Sequence, residues 1–239
     1  MTDTYREHGE VCAKFYQLTV DSSAVAEFIL CNSPARPTEK ALFVGGMFDI
    51  AGALHRYGLD ITVVDYTPEM VALGRRALPT VRIEQADLRK LPYQNEFDHV
   101  FVVGRVFTHM ISNEDLHLAL ASCRKALRAG GHLFFDNYED TKIRVTNYFN
   151  GTVRAESNAS KIERNSATTL LSESPYIVSW RARYTGDIEG RPFDFSDAME
   201  HRAWSRQEIV PFLKNAQFKL IKQGLNFDET SFFNLAQAV

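Results

Sequence analysis

Five apolar, strand-like runs alternate with helical runs between residues 41 and 138, and this alternation constrains the fold more than any other feature. The runs are ALFVG (41–45), DITVVD (60–65), VRIEQAD (81–87), FDHVFVVG (97–104) and HLFFDNY (132–138). Neighbouring parallel strands need a crossover of a dozen or more residues, which a helix supplies. Strands and helices in strict alternation therefore predict a parallel, doubly wound sheet. The fourth run is nearly all apolar, as expected of a strand buried on both faces.

The helices carry their own signals. Residues 4–30 read as helical, with Val11, Phe15, Leu18, Val25, Phe28 and Ile29 on one face, and Pro34 and Pro37 break the chain before the first strand. IAGALHRYG predicts a helix ending near Gly58. In TPEMVALGRRAL, Thr67 is placed as N-cap, Pro68 in the first position and Glu69 in the first turn. NEDLHLALASCRKALRAGG, 113–131, predicts a helix capped by Asn113 and stopped by Gly130 and Gly131.

After about residue 145 the pattern changes. KIERNSATTLL, YIVSWRARYTGDI and FDFSDAMEHRAW read as antiparallel strands, with TGDIEGRP turning between the last two. Ser205 and Glu208 form a capping box that opens a helix, and Pro211 inside it is a site for a kink. FKLIKQGLNF and SFFNLAQAV close the chain as two strands. An insertion at this point projects near the carboxyl ends of the strands, where such sheets bind ligands.

Composition narrows the partners. A net charge of −3 over 239 residues gives no electrostatic case for nucleic acid or an anionic membrane. The first residues, MTDTYREHGE, lack a signal-peptide core, and no apolar run approaches a membrane span. Cys12, Cys31 and Cys123 form neither a disulfide framework nor a metal cluster, so no metal and a reduced, cytoplasmic setting are expected.

The chemistry begins at ALFVGGMFDIAG, a strand that runs into a turn at Gly45 and Gly46. Asp65 ends the second strand twenty residues after Gly45, the distance at which a carboxylate reads a ribose hydroxyl pair. Its alternative role is to cap the following turn. Asp87 ends the third strand, where an acid accepts from an exocyclic amine and the amide of Leu88 donates to the ring. The alternative is a solvated loop carboxylate.

The order of these elements resembles the class I S-adenosylmethionine (SAM)-dependent methyltransferases over residues 39–138, with a looser match at 200–239. The residues that carry the resemblance are LFVGGMFD, ITVVDYTPEMV with Asp65, IEQADLRKLP with Asp87, FDHVFVVGRVFTHM, and LRAGGHLFFDN before the fifth strand. The resemblance implies α/β architecture: a Rossmann-like, doubly wound, seven-stranded, mostly parallel sheet with an inserted antiparallel β lid. It divides the chain into an N-terminal helical cap (1–38), a SAM-binding core (39–145 and 204–239) and the lid (146–203). It looks most like the small-molecule branch, such as sugar-amine and glycine N-methyltransferases.

The family pattern departs in the opening loop. Phe43 stands where relatives carry an acid, and Met47 and Asp49 stand at the second and third glycine positions. Met47 and Phe48 are expected to crowd or reshape the path of the methionine part of the cofactor. Asp49 is an acid for its ammonium group. Tyr16 matches a tyrosine that folds over SAM in relatives, and Gly45, Gly46, Tyr66, Leu88 and Gly104 complete the cofactor-binding set with Asp49, Asp65 and Asp87.

His109, in RVFTHM, is a candidate general base or a positioning donor. Asn137 and Tyr138 follow the fifth strand, and DNYED is not the Asn-Pro-Pro-Tyr type of signature found in base-modifying enzymes. In the lid, period-2 spacing puts Tyr176 and Trp180 on one side, with Arg183 nearby; aromatic faces suit a sulfonium or simply pack the sheet. His201 and Arg202 are weaker candidates.

The leading expectation is methyl transfer from SAM to a small-molecule amine or hydroxyl, giving S-adenosylhomocysteine, by a monomer or homodimer with no nucleic-acid or membrane partner. The first alternative is a SAM cyclase in which Asn137 and Tyr176 orient the cofactor's own amine, giving azetidine-2-carboxylate and methylthioadenosine. The second is a non-catalytic nucleoside-binding or interaction protein. A dehydrogenase fits less well, because it expects a fuller Gly-x-Gly-x-x-Gly than GGMFDI.

Overall fold

The computed structural model describes residues 4–138, 140–145, 149–227 and 231–239. The chain opens with α1 (Thr4–Thr19) and α2 (Ser22–Asn32). The core then runs β1 (Lys40–Val44), α3 (Phe48–Tyr57), β2 (Asp60–Asp65), α4 (Pro68–Ala77), β3 (Arg82–Gln85), β4 (Phe97–Val102), α5 (Asn113–Ala126) and β5 (Leu127–Tyr138). A short α6 (Asp140–Ile143) leads to β6 (Gly151–Ser157), β7 (Ser160–Glu173), β8 (Tyr176–Ile188) and β9 (Arg191–Arg202). The chain returns through α7 (Arg206–Asn215), β10 (Phe218–Leu225) and β11 (Ser231–Ala238).

One sheet has seven strands in the order β10-β11-β5-β4-β1-β2-β3. Strands β1 to β5 pair in parallel, and β11 and β10 add antiparallel at one edge. The second sheet is antiparallel, β6-β7-β8-β9. Its first strand, β6, was not expected from the sequence, where GTVRAES is too polar to read as a strand: of its seven residues only Ala155 is buried.

Strand alternation splits the core into two layers. Leu42, Val44, Val100 and Val102 pack with Leu116, Leu120 and Trp204 on one face of the large sheet. Phe43, Val63 and Phe101 pack with Val25, Ile29, Ile50 and Leu54 on the other. Burial on both faces explains the unbroken apolar runs. A third cluster joins Phe15 of α1 to Trp180, Ala182 and Tyr184 of the lid.

Several boundaries differ from the sequence reading. The 4–30 helix is two helices, because Asp21 accepts from the amides of Ser23 and Ala24 and starts α2 afresh. Thr67 is the N-cap of α4 by position, but its hydroxyl donates to Asp65 Oδ1 (3.1 Å) rather than capping the helix. Ser112, not Asn113, caps α5 by accepting from the Asp115 amide (3.0 Å). Gly130 and Gly131 do not stop that helix. The strand has already begun at Leu127, where it pairs with Phe97, and a Cβ on Gly131 would lie 3.0 Å from the Asp98 carbonyl. The Ser205–Glu208 capping box is present, and α7 continues through Pro211. No helix among the described residues is long and apolar enough to cross a membrane.

Candidate active site

The carboxyl ends of β1, β2 and β4 build the loop region. Gly45 adopts φ +113, a conformation glycine reaches without strain, and its amide donates to the Val64 carbonyl (2.9 Å). Gly46 lies beside β2: a Cβ there would be 3.4 Å from Asp65 Oδ2 and 2.4 Å from the terminal methyl of Met70. Asp65 Oδ1 accepts from the amide of Thr67 (2.9 Å) and from its hydroxyl, the turn-capping role that the sequence offered as the alternative, and this orients the carboxylate beside bare backbone.

Phe48 packs inward yet stays close to the turn, its ring tip 3.9 Å from where a Cβ on Gly46 would lie. Phe48 is buried, and a Cβ on Gly74 of α4 would sit 2.5 Å from its ring, so the side chain turns into the core between α3 and α4. Met47 turns the other way, toward Gly104, where a Cβ would be 3.1 Å from Met47 Cγ. Asp49 is exposed in the first turn of α3. A cleft of about 350 Å³ opens between α1, this turn and α4, and Tyr16, Gly46, Met47, Phe48 and Asp49 line part of it. Asp65, Asp87 and Gly104 are not in its lining.

Asp87 is the N-cap of a 3₁₀ turn, and both its oxygens accept from the Arg89 guanidinium; Arg89 also reaches Asp115 (2.8 Å). The Arg89 hydrogen bonds hold the Asp87 carboxyl below its ordinary range. Leu88 buries its side chain in the core, and Tyr66 is exposed.

Beyond β4 the chain makes a tight corner. Gly104 (φ +90) and Arg105 (φ +64) are both left-handed. Their amides donate to the buried Asp136, to Oδ2 (3.3 Å) and Oδ1 (2.7 Å), and Asn226 donates to the same carboxylate (3.2 Å). Sequence reasoning missed Asp136. Its signal was an acid closing the apolar run HLFFD, the same pattern that exposed Asp65.

This corner delivers His109 to a recess under the lid. The His109 ring lies edge-on to His201 of β9, with centroids 5.1 Å apart. The His109 side chain is exposed at the mouth of this recess, and the protein mass behind it lowers its pKa by desolvation. His201 is lowered to about 3, first by burial and then by His109 and Arg105. The Tyr138 hydroxyl is 3.3 Å from His201 Nδ1, Trp180 stacks 6.1 Å from the His201 ring, and the Arg105 guanidinium lies 5.1 Å from the Tyr138 ring centre. Burial pushes the Tyr138 hydroxyl up to about 12.

The residues after His201 lock the loop. Arg202 donates to the Ile111 carbonyl (2.9 Å) and to Glu208 (2.7 Å), and Trp204 Nε1 donates to the Met110 carbonyl (3.1 Å). His201 and Arg202, weak candidates in the sequence, are thus central here.

Asn137 and Tyr176 lie beside Tyr138 but are held by partners other than the two histidines. Asn137 is fully buried; its Oδ1 accepts from the Tyr138 amide, and its Nδ2 has no partner among the described residues. Tyr176 donates to the Ile143 carbonyl (3.3 Å), and the Arg144 guanidinium covers its ring at 4.3 Å. That ring face is therefore closed to a sulfonium. Tyr176 and Trp180 do share the inner side of β8, whereas Arg183 points outward and pairs with the exposed Asp194. Tyr16 lies under the lid among Phe15, Cys12 and Arg164.

No curated protein matches the chain by sequence. Residues 46–131 match a family model described as a methyltransferase domain. DesVI of Streptomyces venezuelae superposes with a TM-score of 0.85 at 17% identity, over 97% of this chain and 98% of that one. An S-adenosylmethionine-dependent methyltransferase from Clostridium acetobutylicum gives 0.77 at 16%, over 99% of each. The fold is that of a SAM-dependent methyltransferase. CalS10, a SAM-bound amino pentose methyltransferase from Micromonospora echinaspora, shares it with a TM-score of 0.75 at 18% identity, over 100% of this chain and 98% of its own. This methyltransferase fold includes the antiparallel sheet as well as the core, because the match covers nearly the whole of both chains.

Proposed function

We propose that the protein is a SAM-dependent methyltransferase acting on a small molecule through an amine or hydroxyl. The observation that carries this reading is the contact between Gly46 and Asp65, bare backbone beside an oriented carboxylate at the end of β2. A carboxylate so placed accepts from both ribose hydroxyls. Gly45, Gly46 and Asp49 take the methionine part, Asp87 and the Leu88 amide the adenine, and Tyr66 and Gly104 flank the nucleoside. Tyr16 covers the cofactor from α1. The helical cap, core and lid divide the work into covering, cofactor binding and acceptor enclosure.

The acceptor enters the recess at His109. Its lone pair attacks the methyl carbon as the S–CH3 bond breaks and that electron pair goes to sulfur, leaving S-adenosylhomocysteine. Enclosure and alignment supply most of the acceleration. The acceptor's proton passes to neutral His109 when the acceptor must lose one.

Calorimetry with SAM and S-adenosylhomocysteine tests the reading: both bind, and Asp65→Ala weakens both. Failure of the wild-type protein to bind either one sinks it in favour of a non-catalytic role. The cyclisation alternative loses support from Tyr176, whose hydroxyl is engaged and one of whose ring faces is covered by Arg144. Incubation with SAM alone checks it, since methylthioadenosine formed without an acceptor reinstates cyclisation.

A further inference from the structure

We infer that His201 is a second residue contacting the acceptor, that Tyr138 fixes which of its ring nitrogens does so, and that the pair His109–His201 addresses a hydroxyl rather than an amine. The inference rests on the methyltransferase reading and deepens it.

The argument starts from the ring nitrogens. His201 Nδ1 faces the Tyr138 hydroxyl, and no residue among those described hydrogen-bonds to its Nε2. His109 has no protein hydrogen-bond partner on either nitrogen among the described residues. Three imidazole nitrogens without a protein partner therefore stand open to a ligand at one recess.

A phenol is a better donor than a neutral imidazole, and the Tyr138 hydroxyl keeps its proton at neutral pH. Tyr138 O–H therefore donates to Nδ1. A neutral imidazole holds one proton, so it sits on Nε2. His201 then presents a fixed N–H donor, and His109 presents a lone pair.

A donor and an acceptor together match a hydroxyl oxygen. One of its lone pairs accepts from His201 Nε2–H, its proton passes to His109, and the other lone pair attacks the methyl carbon while sulfur takes the pair of the breaking bond. A neutral amine has a single lone pair. A hydrogen bond from His201 would occupy the electrons needed for attack. An ammonium group fares no better, since the Arg105 guanidinium stands over Tyr138 in the same recess.

The test is the imidazole ¹⁵N spectrum of the S-adenosylhomocysteine-loaded protein, assigned with His109→Gln and His201→Gln. The expected result is a neutral Nε2–H tautomer for His201 at pH 7 that becomes a tautomer mixture in Tyr138→Phe. An Nδ1–H tautomer or an imidazolium overturns the inference. A second readout uses labelled SAM with a panel of polyols and amino sugars carrying both groups. O-methylation supports the inference; N-methylation alone, or no methylation by a protein that binds SAM, overturns it. Loss of all SAM binding instead overturns the methyltransferase reading itself.

Discussion

The ring of Phe48 fills the space that a side chain at Gly74 would occupy, with Phe48 Cε1 2.5 Å from the position of a Cβ there. This contact makes a bulky residue at the turn after β1 a spacer between α3 and α4. Gly74→Ala forces that ring to move in a packed layer, where overfilling costs about 1–3 kcal/mol. Urea unfolding of Gly74→Ala should show that loss, and Phe48→Leu in the same chain should recover most of it. An additive double variant would show that the two residues do not meet.

Gly46→Ala should separate folding from cofactor binding. The nearest atom to the new Cβ is the terminal methyl of Met70, a flexible end that can swing aside. Stability is expected to change by less than about 1 kcal/mol, within the range of ordinary substitutions. The methyl also stands beside Asp65, so SAM affinity should fall at least tenfold by calorimetry. Unchanged affinity would place the cofactor elsewhere.

The two imidazoles under the lid make stability depend on pH. The folded-state pKa of His201 lies far below the unfolded value of about 6.5, so the unfolded chain binds more protons between the two. Stability should therefore fall as pH drops from about 6.5 toward 4, by up to ~1.4 kcal/mol per unit for this group. His201→Gln should flatten that slope in denaturant titrations at stepped pH. A slope identical to wild type would remove His201 as its source.

Arg202 should matter for both fold and site. It is buried, hydrogen-bonded to Glu208 and the Ile111 carbonyl, and its guanidinium lies 3.4 Å from the Trp204 ring centre. Arg202→Met is expected to cost about 1.5–3 kcal/mol, the range for hydrogen bonds to charged groups. It should also broaden the His109 imidazole resonances, because the carbonyl of Ile111 loses its anchor. Sharp, unshifted resonances would show that the loop holds itself.

What could be read from the sequence follows a physical divide. Ala41–Val44 and His99–Val102 are buried on both faces, and their largely apolar runs mark them as central strands. Ser205 and Glu208 form their capping box locally and were legible for the same reason. The failures are tertiary. The polar strand Gly151–Ser157 exists because β7 offers it a partner. Gly130 and Gly131 look like a helix stop, but pairing of Leu127 with Phe97 has already fixed the strand. Sequence does not show which way a side chain turns: Phe48 is buried against α4 while its ring tip stays near Gly46. Tyr176 shares a face with Trp180 as period two requires, yet Arg144 covers its ring. The His109–His201 pair joins residues 92 positions apart, one on the 3₁₀ turn after β4 and one on β9, a juxtaposition that no local pattern encodes.

The anchoring of Met110 and Ile111 by Trp204 and Arg202 has a mechanical consequence. The end of the antiparallel sheet and the segment bearing His109 are fastened at two successive carbonyls, so they travel as one piece. Any swing of that sheet away from the core carries the imidazole off with it. Enclosure and readiness to accept a proton are then a single coordinate, and an open molecule is also an unarmed one.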